Sequence, residues 1–194
     1  SVDLFDTSLY PTEGLDGDEV RERNLGVREV KGGKTNLKQT DKFADFFDKV
    51  SSFKPDMIAT TVTDSTFIHG IELLKSVKEF NFLSVLGGPF AKGAPERAIN
   101  NREIDVICIG EGENAFLTLC QKLSEKKDIS DIPGLWIKKE EKIIKNSLGK
   151  LVDIKHLPPL DFDIFEEKRL HVMMRGKMYK MLPMETHRGC PYKC

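Results

Sequence analysis

Residues 56–62, Asp-Met-Ile-Ala-Thr-Thr-Val, form a mostly apolar run with the length of a β-strand. A run of this kind predicts a strand that is covered on both faces, as in a parallel sheet. The next segment, Phe67–Phe80, has apolar residues at helical spacing and predicts an amphipathic helix. Its expected inward side chains are Ile68, Ile71, Leu73 or Leu74, Val77 and Phe80.

The alternation continues along the chain. Further strands are predicted at Asn81–Leu86 and Ile104–Ile109, and further helices at Ala94–Asn101 and Asn114–Ser124. Strands that alternate with helices through short connections indicate an α/β fold, with a parallel sheet and helices on both faces. Upstream, a helix is expected at Asp41–Ser52, a strand at residues 1–10, and little regular structure at residues 11–40.

The alternation of predicted strands and helices ends after Asp128. Ile132–Ile137 and Lys142–Lys145 predict a small β-hairpin with a charged tip. Leu157–Asp163 contains two prolines and predicts a stiff linker. We therefore expect three parts, which are an α/β domain at residues 1–128, the hairpin and linker at 129–163, and the start of another domain at 164–194.

Composition limits the kind of protein this can be. The chain has 194 residues, 39% of them hydrophobic and 31% charged, and its 30 basic and 31 acidic side chains give a net charge of −1. Such a chain buries a sizeable core, and its near-neutral charge gives no electrostatic reason to expect a nucleic-acid partner. No apolar run approaches the roughly 20 residues of a transmembrane segment. A cytoplasmic protein that does not bind nucleic acid is expected.

Unusual residues follow three of the predicted strands. In a parallel sheet the carboxyl ends of the strands share one edge, where ligands bind. Glycines let a ligand approach the backbone, and short hydroxyls supply hydrogen bonds without bulk. The candidate ligand-binding residues are Thr61, Thr63, Asp64 and Ser65 after the first strand, Gly87, Gly88 and Pro89 after the second, and Gly110, Glu111 and Gly112 after the third.

Each loop alone is also explained by ordinary turn and helix-capping chemistry. Three such loops at one edge favour a ligand groove. None is a Walker loop or a Gly-x-Gly-x-x-Gly fingerprint, so no nucleotide is specifically indicated. No Ser–His–Asp arrangement or catalytic carboxylate pair is evident, and we assign no catalytic residue.

The four cysteines fall into two pairs. Cys108 and Cys120 lie in apolar or amphipathic segments and are predicted to be small buried residues. Cys190 and Cys194 lie in Arg188-Gly-Cys-Pro-Tyr-Lys-Cys194, whose glycine and proline are typical of an exposed loop. Two thiolates at this spacing suit a soft metal or an iron–sulfur cluster, and a pair cannot complete such a site alone.

Several motifs in a fixed order match a known family. They are Leu4-Phe-Asp-Thr-Ser-Leu-Tyr10, Lys54-Pro-Asp-Met-Ile58, Leu86-Gly-Gly-Pro-Phe-Ala91, Ile109-Gly-Glu-Gly-Glu113, Ile132-Pro-Gly-Leu135, Leu157-Pro-Pro-Leu-Asp-Phe162 and the loop that contains Cys190 and Cys194. The chain resembles the cobalamin (B12)-binding domain of cobalamin-dependent radical S-adenosylmethionine (SAM) proteins, followed by the start of their radical SAM domain. The resemblance implies a flavodoxin/Rossmann-like sheet of the B12-binding type.

The resemblance also implies cofactors. The hydroxyl run and the two glycine loops would line the slot for the nucleotide tail of cobalamin. Cys190 and Cys194 would be two of three thiolates on a [4Fe–4S] cluster that holds SAM. The parent enzyme would perform methyl transfer or related radical chemistry on an unknown small-molecule or lipid-like substrate.

The match is incomplete. A third cluster cysteine would stand at position 197, beyond Cys194, and the first strand and helix of the family would precede Ser1. The chain alone is therefore expected not to be catalytic. Asp-x-His-x-x-Gly, the loop with which many cobalamin domains displace the lower base, does not occur.

The alternative is a non-catalytic flavodoxin-like module that binds a ligand or a partner, with a structural metal site at Cys190 and Cys194. A metal-site scaffold without cobalamin is the third hypothesis.

Overall fold

The computed structural model describes residues 1–11, 38–140, 142–174, 177–185 and 187–189. It divides into two compact units, one formed by Ser1–Asp45 with His156–Cys194 and the other by Phe46–Lys155. The helices are α1 (Lys42–Phe53), α2 (Phe67–Ser76), α3 (Pro89–Gly93), α4 (Pro95–Ile99) and α5 (Gly112–Ser124). The strands are β1 (Met57–Thr61), β2 (Leu83–Gly87), β3 (Val106–Cys108), β4 (Leu135–Lys139), β5 (Lys142–Lys145), β6 (His171–Met174) and β7 (Lys177–Lys180).

Five of the described strands form one sheet in the order β1-β2-β3-β4-β5. β1, β2 and β3 are parallel, with Ala59 opposite Val85 and Val85 opposite Val106. β4 and β5 form the predicted hairpin, which adds to the sheet antiparallel to β3, with Ile137 opposite Val106. The sheet is therefore mixed, with a parallel core, and the prediction of an α/β fold is confirmed.

Adjacent strand residues point into two different cores. Leu86 and Ile107 pack with Ile71 and Leu74 of α2, with α3 and with α4. Val85 and Val106 instead pack with Ala115 and Leu119 of α5. Because successive side chains of a strand lie on opposite faces, helices cover both faces of the sheet, as predicted.

α1 begins and ends for local reasons. The Asp41 carboxylate accepts a hydrogen bond from the Ala44 amide at 2.8 Å, which caps the first turn. Lys54 follows the helix with a φ of 51°, and Pro55 cannot continue a helix. Phe46 and Val50 are buried on one face, so the predicted helix at Asp41–Ser52 is confirmed.

The predicted strand at residues 1–10 is wrong. Thr7–Leu9 form a 3-10 turn, and no described strand pairs with this segment. The Asp6 carboxylate accepts a hydrogen bond from the Ser8 amide at 2.9 Å, and this local bond competes with the pairing of an extended chain. The apolar side chains that suggested a strand serve packing instead, since Leu9 and Tyr10 are buried.

Two helix predictions also need correction. Ile68 does not face inward but is 54% exposed, because the buried stripe of α2 starts one residue earlier, at Phe67, whose ring stacks on Phe90 with centroids 4.0 Å apart. The helix predicted at Ala94–Asn101 is the shorter α4 (Pro95–Ile99), and a separate short helix that was not predicted, α3 (Pro89–Gly93), precedes it. Pro89 and Pro95 each begin one of them, in the first turn where a missing N–H is tolerated.

The unit formed by Ser1–Asp45 and His156–Cys194 has its own contacts. The Tyr10 hydroxyl donates to Asp45 at 2.8 Å, and Lys38 pairs with Glu166 at 2.6 Å. β6 and β7 form an antiparallel hairpin here. The Pro-rich segment at residues 157–163 contains neither helix nor strand, as expected of a linker.

Candidate functional site at the carboxyl edge of the sheet

Three loops meet at one edge of the sheet. They follow β1, β2 and β3, which are adjacent and parallel, with Thr61 opposite Gly87 at the ends of their strands. The carboxyl ends of parallel strands lie at the same edge. The topology therefore brings the three predicted groups of ligand-binding residues to one edge.

The loop after β1 is held in shape by its own hydroxyls. The Thr63 hydroxyl lies 3.0 Å from that of Ser65 and 3.1 Å from that of Thr66, whose oxygen also accepts the Thr63 amide at 2.9 Å. Residues Thr61 and Thr63–Thr66 are nevertheless exposed. A hydroxyl has one donor and two acceptor sites, so these groups keep hydrogen-bonding capacity for a ligand.

The two glycines after β2 have different roles. A β-carbon on Gly88 would lie 2.8 Å from the Val62 carbonyl oxygen and 2.9 Å from the Thr61 methyl group, and the φ of Gly88 is +89°. A β-carbon on Gly87 would meet nothing within 4 Å. Glycine is thus required at position 88 because the backbone there packs directly against Val62 and Thr61, whereas Gly87 borders open space at the edge. Pro89 is the first residue of α3.

The loop after β3 contacts a later part of the chain. The Glu111 carboxylate accepts a hydrogen bond from the Val152 amide. A β-carbon on Gly110 would lie 3.5 Å from the Leu148 side chain, and Gly112 begins α5. The Glu111 side chain is therefore engaged with the segment after β5. Leu148 and Val152 were not predicted to lie at this edge, because nothing in the local pattern of Leu148-Gly-Lys-Leu-Val152 marks a contact with a loop some 40 residues earlier.

Cys108 ends β3 beside this loop. Its sulfur lies 3.8 Å from the Gly110 carbonyl oxygen, and burial raises the pKa of its thiol above the usual value. The protonated thiol that results is a poor nucleophile and a poor metal ligand. Cys108 and Cys120 are both half-buried rather than fully buried, as free thiols.

The described residues do not form a cluster of metal ligands. His69, on α2, has its Nδ1 atom 3.5 Å from the Glu72 carboxylate, and both side chains are about half exposed. Among the described residues, no group of three His, Cys, Asp or Glu side chains could hold a metal ion. The predicted metal ligands Cys190 and Cys194 lie outside the described residues.

Comparison with known proteins decides the family. The model of the B12 binding domain matches residues 23–119, which is half of the chain and includes all three loops. The chain belongs to the B12-binding domain family. Within the part that the structure describes, this B12-binding chain has no helix that is long and apolar enough to cross a bilayer.

The chain matches part of several longer proteins. It is 27% identical over 156 residues to an uncharacterized methyltransferase, PH0819, of Pyrococcus horikoshii, and the match covers 78% of this chain and 33% of that protein. The chain thus spans about a third of the length of this curated relative.

Two solved structures share the fold. OxsB, a cobalamin-dependent SAM radical enzyme with aqua-cobalamin and SAM bound, matches with a TM-score of 0.53 at 17% identity, over 63% of this chain and 17% of OxsB. TsrM from Kitasatospora setae, a radical SAM methyltransferase with cobalamin and a [4Fe-4S] cluster bound, matches with a TM-score of 0.52 at 20% identity, over 65% of this chain and 24% of TsrM. At these identities the likeness shows the fold alone.

Proposed function

We propose that this chain binds cobalamin at the carboxyl edge of its sheet and is the cofactor-holding part of a cobalamin-dependent radical SAM methyltransferase. The observation that carries the proposal is the open space beside Gly87, at the end of the middle parallel strand. A glycine that no neighbouring residue requires leaves room for a ligand to approach the backbone.

The residues around this space fit the nucleotide tail of cobalamin. The exposed hydroxyls of Thr61, Thr63 and Ser65 lie on one side of the Gly87 loop. They offer donors and acceptors to the phosphate, ribose and base edges that such a tail presents. Asp64, Pro89, Gly110 and Gly112 belong to the same three loops and complete the proposed site. Gly88 supports the site through the backbone packing that it permits.

The roles of the protein and the cofactor are separate. Cobalamin, when bound, supplies a cobalt centre that carries a methyl group, and the chain contributes binding and orientation. Cys190 and Cys194 would supply two thiolates to a [4Fe–4S] cluster that holds SAM, and the third ligand would come from elsewhere in the protein. The substrate would be a small or lipid-like molecule bound by other parts of the enzyme.

The test is anaerobic reconstitution of the full-length protein with hydroxocobalamin, iron and sulfide, followed by desalting and absorption spectroscopy. We expect about one corrinoid per chain and a cluster band that Cys190→Ala removes. A chain that retains no corrinoid contradicts the proposal, and retention of a zinc ion without corrinoid would favour the structural metal site.

A matched pair of glycine variants locates the site. Gly87→Val should weaken corrinoid retention at least about tenfold, because its side chain would occupy the open space. Gly93→Val is the control, since a β-carbon on Gly93 also meets nothing within 4 Å but lies at the far end of α3. Equal retention by the two variants would remove the Gly87 loop from the site.

A further inference from the structure

The segment Ser147–Val152 is fastened to the loops around the carboxyl end of β3. The Gly134 amide donates to the Ser147 carbonyl at 2.7 Å, and the Ile109 amide donates to the Gly134 carbonyl at 2.9 Å. Just before the segment, the Asn146 side chain donates to the Leu135 carbonyl at 2.9 Å. These bonds fix where the segment begins, directly beside the loop that follows β3.

Glu111 fixes the other end of the segment. This residue is the N-cap of α5, yet its carboxylate makes no capping bond to that helix. It accepts the amide hydrogen of Val152 instead. A carboxylate that accepts a backbone N–H makes a strong, charge-assisted hydrogen bond. The side chain thus ties a loop at the edge of the sheet to a segment about 40 residues later in the chain.

The fastened segment presents apolar side chains at this edge. Leu148 is 65% exposed and Leu151 is 86% exposed. The Leu148 side chain lies 3.5 Å from the β-carbon position of Gly110, in the loop that directly continues β3. A ligand that covers these leucines would be favoured, because it would remove their apolar surface from water.

We infer that Glu111 is a positioning residue that holds Ser147–Val152 as an apolar wall of the cobalamin site, with Leu148 against the bound corrinoid. The inference rests on the proposed function. The occupant is the corrinoid, because Leu148 adjoins Gly110 and the Gly110 loop shares its edge with the open space at Gly87. Glu111 acts through the hydrogen bond that its oxygen accepts from the Val152 amide, and not through an electrostatic interaction between its charge and the ligand.

Two substitutions of Glu111 separate these roles. Glu111→Gln keeps an oxygen that accepts the Val152 amide, whereas Glu111→Ala removes it. We expect Glu111→Ala to raise the dissociation constant for hydroxocobalamin about tenfold and Glu111→Gln to restore most of the affinity. Glu125→Ala, which changes a carboxylate at the opposite end of α5, is the control. Equal losses in Glu111→Gln and Glu111→Ala would show that the charge matters and would overturn the positioning role.

The wall itself is tested by a leucine pair. Leu148→Ser should weaken corrinoid binding several-fold with an unchanged melting temperature, because the side chain is already mostly exposed in the free protein. Leu117→Ser, on the 57% exposed Leu117 of α5, should leave binding as in the wild type. Wild-type binding by Leu148→Ser would overturn the wall.

Hydrogen exchange tests the tether, which is the hydrogen bond from the Val152 amide to the Glu111 carboxylate, without any cofactor. The Val152 amide should be protected in the wild type and in Glu111→Gln, and should exchange at loop rates in Glu111→Ala. A Val152 amide that stays protected in Glu111→Ala as well as in Glu111→Gln would overturn the tether. A wild-type chain with a protected Val152 amide but no retained corrinoid would instead overturn the proposed function, and with it the wall, while leaving the tether in place.

Discussion

The Ser84 hydroxyl donates a hydrogen bond to the Asp105 carboxylate at 2.7 Å, and the Ser84 amide donates to the same oxygen at 2.8 Å. The Asp105 amide in turn donates to the Ser84 hydroxyl oxygen at 2.8 Å. Ser84 lies on β2 and is only 2% exposed, and Asp105 precedes β3. This reciprocal set of bonds joins two parallel strands at the edge opposite the candidate site and helps to set their register.

Removing the Ser84 hydroxyl should destabilise the fold without affecting the cofactor. Ser84→Ala leaves one acceptor and one donor of Asp105 without this partner, and we expect the free energy of unfolding to fall by about 1–3 kcal/mol. Urea denaturation measures the change. Ser124→Ala is the control, because its hydroxyl bonds only to the neighbouring turn of its own helix. A corrinoid affinity that falls together with stability would contradict the separation of the two edges.

Gly88 should be more sensitive to substitution than Gly87. Gly88→Ala places a β-carbon 2.8 Å from the Val62 carbonyl oxygen and forces a non-glycine residue to a φ of +89°. The expected loss is about 2–5 kcal/mol of unfolding free energy, from strain and overpacking together. Gly87→Ala should cost less than about 1 kcal/mol, because nothing lies within 4 Å of its β-carbon. Similar losses in both variants, measured by thermal unfolding, would refute this assignment of roles.

Asp128 should titrate well below an ordinary aspartate. A hydrogen bond from the Ser130 hydroxyl, and a second from the Lys139 ammonium group at 2.9 Å, lower the pKa of its carboxyl to about 2. A pKa lower in the folded than in the unfolded state gives stability that is present above about pH 4 and is lost as the pH falls toward 2. Carboxyl-carbon NMR should show Ser130→Ala moving this pKa toward its usual value, and an unmoved pKa would exclude the hydroxyl as the main cause.

Cobalamin should protect Cys108 from alkylation. Its raised pKa makes the thiol slow to react, and its position at the end of β3 places it beside the Gly110 loop. Cyanocobalamin should slow the alkylation of Cys108 by iodoacetamide several-fold further. Cys120, on α5, is the internal control in the same peptide map. Equal rates at Cys108 with and without cyanocobalamin would place the ligand away from this loop.

The regular elements were predictable because their causes are local. The apolar run at residues 56–62, the helical spacing of Phe46 and Val50, and the hairpin at 132–145 all appear in the structure. Where the local pattern was ambiguous, prediction was wrong. The apolar residues in 1–10 fit both a strand and a capped turn, and the spacing in α2 allowed either Phe67 or Ile68 to lead the buried stripe.

The amino-acid sequence alone determined the α/β fold, the three loops and the family resemblance, since periodicity and motif order depend on residues that are close together in the sequence. Only the tertiary structure decided which glycine leaves space, because the clash at Gly88 comes from Val62, which directly follows the neighbouring strand β1. It alone showed that the Glu111 carboxylate bonds to the Val152 amide and that the hairpin extends the main sheet. Such contacts depend on distances between residues far apart in the chain, and no local spacing encodes those distances.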